Sequence, residues 1–182
     1  MLFGRKTDPH EAWVRQTVAR FEGPLQRYAT RIVRDPETAR EVVQDTFTKL
    51  CGADAAALNG RLAPWLYTVC RNRAFDVAQK ARRSAPLGEE AARSVPSTAP
   101  GPRESAQGRE AGALLLEALG RLAGEQQEVF RLRFHEEFSY AEISEITGHT
   151  TNHVRYLIHT ALKHLREALR DHLDIAGLAV KD

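Results

Sequence analysis

Between Ser84 and Glu110 the chain reads SAPLGEEAARSVPSTAPGPRESAQGRE, which holds four of its eight prolines and, as large apolar side chains, only Leu87 and Val95. So little apolar surface cannot offset the entropy of ordering the backbone, and the stretch reads as a flexible linker. It divides the 182 residues into two small bodies. The expected organisation is a domain over 9–83, the linker over 84–110, a second domain over 111–172 and a C-terminal tail over 173–182.

Both bodies read as helical. No alternating β-branched run and no Asn-Gly turn argues for a strand, whereas apolar residues recur at helical spacing throughout. Asp8-Pro9 and Asp35-Pro36 each set a capping acid before a proline suited to a first helical turn. Trp13, Thr17, Phe21, Leu25, Tyr28 and Ile32 form one stripe, with a break expected at Gly23-Pro24. Ala39, Val42, Val43, Phe47 and Leu50 form a second. A third helix is expected from Pro64 through Trp65, Leu66, Val69, Ala74 and Val77, with Trp65 in the core. The fold class is therefore all-α: two small helical domains joined by a flexible linker.

The second body carries the sharper signature. Helices are expected near 111–122 and 125–135. Ser139-Tyr140-Ala141-Glu142 is a capping box, flanked by Phe138 and Ile143 as a hydrophobic staple. Gly148 supplies a left-handed turn, Thr150 or Thr151 caps the next helix, and Val154, Ile158, Ala161, Leu165 and Leu169 point inward. A short helix, a glycine turn and a longer helix with a polar start make a helix-turn-helix, although an αα-hairpin fits the same spacing.

Charge is uneven. Residues 1–83 carry 15 Lys+Arg against 9 Asp+Glu, while residues 111–182 carry 8 against 11. A basic front half suits a polyanionic partner and an acidic back half suits it less well. Cys51 and Cys70 form no CxxC pair, and each falls in an apolar stripe, so both are expected as buried reduced thiols. No apolar run approaches the roughly 20 residues of a membrane span, and a cytoplasmic protein is expected. No phosphate-cradling loop, nucleophile elbow or metal-spaced cysteine set is present, so neither catalysis nor a cofactor is expected. Five of the seven histidines fall at 149, 153, 159, 164 and 172. His149 and His153 are four apart, but the inter-helix turn is expected to separate them, and no metal is assigned.

In order along the chain, DPETAREVVQDTFTKLC, APWLYTVCRNRAFDVAQKARR and LAGEQQEVFRLRFHEEFSYAEISEITGHTTNHVRYLIHTALKHLR resemble stretches of extracytoplasmic-function sigma factors. These are minimal two-domain initiation subunits of bacterial RNA polymerase. The resemblance covers roughly 9–83 and 111–170. It implies a bacterial promoter-specificity factor, monomeric when free, with three partners: core polymerase (the β′ clamp and the β subunit), promoter DNA and an anti-sigma factor.

Site residues follow from that frame and from side-chain chemistry. Glu41, Gln44, Asp45 and Lys49 share a face of the second helix, and the acceptors among them suit arginines of a partner helix; the resemblance makes that partner core polymerase. The loop 52–63 lies where the family captures a flipped minus-ten base, with Asn59 and Arg61 as its best donors. Arg71, Asn72, Arg73, Lys80, Arg82 and Arg83 follow as donors to the opened strand. Asp76 is expected to pair within its helix with Asn72, Arg73 or Lys80. For the minus-thirty-five element, Thr151, Asn152, His153, Arg155, Tyr156 and His159 begin the last helix, with Lys163 and Arg166 beyond. Leu157, Thr160, Leu162 and His164 stand where relatives commonly place arginine, which predicts weak grip there. Two other readings stay open: a stand-alone helix-turn-helix regulator and a sigma-like adaptor that sequesters a regulator.

Overall fold

Two aspartates placed just ahead of prolines start the first two helices. In a computed structural model, which describes residues 8–84 and 106–175 (side chains of the second stretch over 112–170), Asp8 accepts from the His10 N–H at 3.0 Å and opens α1, Pro9–Val33. Asp35 accepts from both the backbone N–H and the hydroxyl of Thr38, at 2.8 and 2.6 Å, and opens α2, Pro36–Cys51. After tight turns comes α3, Leu62–Ser84. The second stretch holds α4, Ala106–Gly120; α5, Gly124–Phe134; α6, Tyr140–Thr147; and α7, Thr151–Ile175. All elements among the described residues are helices, and the chain separates into two compact units.

In the first unit α1, α2 and α3 each pack on the other two. Leu25 and Ala29 from α1, Ala39, Val42 and Leu50 from α2, and Leu66, Cys70 and Ala74 from α3 are buried together. The rings of Tyr28 and Tyr67 meet at 5.1 Å across α1 and α3. In the second unit α7 is the spine, packed on α4, α5 and α6. Its Val154, Ile158 and Ala161 are buried, as are Val129, Leu132, Ile143 and Ile146 of its neighbours.

Several expectations need correction. The helix does not break at Gly23-Pro24: α1 runs straight through Pro24. Gly23 offers no Cβ to collide with the proline ring, and buried Phe21 and Leu25 hold the segment from both sides. Thr46, not Phe47, fills the α2 core position, its hydroxyl satisfied by donating to the Val42 carbonyl at 2.8 Å. Cys51 is exposed at the end of α2, one residue past the buried Leu50, while Cys70 is buried as expected. Trp65 is only half-buried, and α3 starts at Leu62, two residues earlier than expected. Ala106–Glu110, read as linker, are the first turn of α4, and α7 runs to Ile175, into the expected tail. The rest of the linker, 85–105, and the tail from 176 lie outside the described residues.

Candidate nucleic-acid and protein interfaces

On α2, Glu41, Gln44 and Lys49 are exposed and Asp45 half-buried, and their spacing sets all four along one side of the helix. Asp45 is already engaged. Its carboxylate accepts from Arg73 Nε on α3 at 2.7 Å, with both side chains nearly half exposed. A residue expected to meet polymerase and one expected to meet DNA therefore hold each other, and Arg73 reaches across to α2 rather than along its own helix to Asp76.

Asn59 and Arg61 are exposed on consecutive tight turns. Asp54 accepts from the Ala56 N–H at 2.9 Å, Leu58 N–H donates to the Asp54 carbonyl at 3.2 Å, and Arg61 N–H to that of Leu58 at 3.0 Å. Gly60, at φ 77°, makes the reversal that returns the chain to α3, a conformation a side chain resists. On α3 the Arg71 guanidinium lies over the Phe75 ring, 4.6 Å from its centroid. Phe75 is 44% exposed, an aromatic face absent from the sequence-based set. Asn72, Lys80, Arg82 and Arg83 are exposed, the last three along the final turns of α3.

The helix-turn-helix in the second unit is built from its caps. Ser139 N–H donates to Glu142 Oε2 at 2.8 Å and Glu142 N–H to Ser139 Oγ at 3.3 Å, with Phe138 and Ile143 buried around them. Gly148 closes α6 at φ 75°, and Thr150 Oγ1 accepts from the His153 N–H at 3.2 Å to open α7. Asn152, His153, Arg155, Tyr156, His159, Lys163 and Arg166 are exposed and Thr151 half-buried. Tyr156 stacks against His153 at 6.1 Å, and Arg133 and Arg155 both lie near the Tyr140 ring. Leu157 is buried, so its apolar character is a packing requirement and not a missing DNA contact. The turn does not separate His149 from His153: their rings meet at 4.9 Å, edge to face. Glu125 at the start of α5 completes a cluster whose possible ligand atoms lie within 4.8 Å of one another. Glu125 is 24 residues from His149, and no local sequence signal joins them; the i, i+4 histidine spacing was the only clue.

An all-helical chain with a helix-turn-helix in one unit and a basic, aromatic-bearing helix in the other has the make-up of a DNA-binding transcription protein. The profile of Sigma-70 region 2 matches residues 17–84, and that of Sigma-70, region 4 matches residues 118–167. The chain is 28% identical over 151 residues to "ECF RNA polymerase sigma factor SigL" of Mycobacterium tuberculosis, covering 81% of this chain and 83% of that protein. It is 26% identical over 141 residues to "RNA polymerase sigma factor SigV" of Bacillus subtilis (77% and 81% covered). To "RNA polymerase sigma factor CarQ" of Myxococcus xanthus it is 29% identical over 153 residues (83% and 86% covered). The solved 1.8 Å structure of an RsbN–BldN complex aligns over 85% of this chain and 89% of that one, at 21% identity and a TM-score of 0.30. The chain belongs to the extracytoplasmic-function sigma factors, the alternative, non-catalytic subunits with which RNA polymerase initiates transcription.

Proposed function

We propose that this sigma factor docks on core polymerase through Glu41, Gln44, Asp45 and Lys49 of α2, and opens the minus-ten element with the turns around Asn59 and Arg61 and the outward side of α3. Arg71, Asn72, Lys80, Arg82 and Arg83 supply donors to the single strand. Phe75, backed by Arg71, offers a face on which an unstacked base can rest. The observation that carries the reading is the Arg73–Asp45 bridge. It ties the acidic docking helix to the basic strand-opening helix, so the two candidate surfaces stand side by side on one rigid pair of helices. The start of α7, through Thr151, Asn152, His153, Arg155, Tyr156 and His159, reads the minus-thirty-five element in the major groove, with Lys163 and Arg166 on phosphates. Site of action is the cytoplasm, where the template lies. An anti-sigma factor completes the set of partners.

The test is co-elution of the purified chain with core polymerase. The intact chain is expected to travel with core, and Asp45→Lys to bind about tenfold more weakly, about 1.4 kcal/mol. A stand-alone regulator instead binds promoter duplex unaided and ignores core. A sequestering adaptor binds a protein target and yields no transcript.

A further inference from the structure

We propose that Glu125, His149 and His153 form a binding site for a divalent transition-metal ion of the zinc class, set into the turn of the helix-turn-helix. The three side chains bring one possible ligand atom each to within 4.8 Å of the others. A second observation points to a missing occupant: Nε2 of His149 is closed off from solvent and has no hydrogen-bond partner. Buried polar atoms are nearly always paired, and an orphan of this kind is a place to look for an ion.

The backbone that carries the histidines is already fixed. Ser144 Oγ donates to the His149 carbonyl at 2.6 Å, the His149 N–H points to Thr147 Oγ1 at 3.4 Å, and the His153 N–H donates to Thr150 Oγ1 at 3.2 Å. Two imidazoles and one carboxylate suit zinc and its borderline neighbours; magnesium and calcium prefer all-oxygen cages. With metal–ligand bonds of about 2.0–2.2 Å, tetrahedral ligands sit about 3.3 Å apart. Closing from within 4.8 Å to that separation asks for side-chain movement, which the exposed Glu125 and His153 are placed to make toward the half-buried His149. Three protein ligands leave one position for water. An ion there links the start of α5 to the turn before α7, and takes the His153 imidazole out of the promoter-reading row.

The experiment uses the full chain, free of any polyhistidine tag, titrated with cobalt(II) and with zinc(II) and followed by calorimetry and visible absorption. One equivalent of cobalt is expected to bind with the absorption of a four-coordinate site and to be displaced by zinc. Glu125→Gln and His153→Ala change exposed residues and should fold. Each is expected to weaken binding at least about tenfold, as is His149→Ala, while His164→Ala, outside the cluster, leaves it unchanged. Absence of saturable binding at micromolar metal overturns the proposal. So does undiminished affinity in both Glu125→Gln and His153→Ala.

Discussion

The two cysteines show how far a single residue can be read in isolation. Both sit at apolar positions of the sequence pattern, yet Cys51, the last residue of α2, is exposed while Cys70, in the middle of α3, is buried. Burial pushes the Cys70 thiol from its ordinary 9.0 up to about 12, against the opposing pull of a hydrogen bond with Thr46. The folded chain thus keeps a proton that the unfolded chain releases above about pH 9. The stability tied to that proton is intact below pH 9 and falls as pH rises toward 12. Urea unfolding at stepped alkaline pH should show a shallower decline for Cys70→Ala than for the unaltered chain; parallel curves contradict the assignment. In the native state a thiol reagent should modify Cys51 quickly and Cys70 only on unfolding. The Asp45–Arg73 pair, 28 residues apart, had no local signature at all. As a half-exposed bridge it is worth about 0.2–1 kcal/mol. Asp45→Arg with Arg73→Asp should therefore recover most of the stability lost by either change alone, while core binding stays impaired.

Helix starts were legible where a side-chain cap marks them, because such caps are written in a few adjacent residues, and the uncapped starts of α3 and α4 were misplaced. Asp8-Pro9, Asp35-Pro36 and the Ser139–Glu142 box all lie where their chemistry set them. Elements were misread where packing overrides a local rule. Pro24 stays helical because its flanks are buried, and both Leu157 and Ile158 turn inward because α7 meets three helices at once and needs a wider apolar face than one stripe. Ser139→Ala removes one half of the capping box and should lower the stability of the second unit by about 1 kcal/mol. Gly148→Ala meets no neighbouring atom, yet it imposes a side chain at φ 75°, which should cost about 1–2 kcal/mol. Equal denaturation midpoints for Gly148→Ala and the unaltered chain contradict that account of the turn.

At the scale of the whole molecule, the division into two helical units was visible as a composition shift, and the order of the two sigma regions as motifs in sequence. What the sequence did not show were the meetings that depend on folding: Asp45 with Arg73, Arg71 over Phe75 with its ring still exposed, and Glu125 with His149 and His153. Phe75→Ala should leave core binding intact and lower the yield of open promoter complexes several-fold, read by permanganate footprinting of unpaired thymines. The most direct measurement is transcription from the organism's fragmented genomic DNA by purified core polymerase, with and without the chain, mapping the 5′ ends of the transcripts. Addition of the chain should create a discrete set of start sites that share a pair of upstream sequence elements. A pattern of 5′ ends that is the same with and without it contradicts the account.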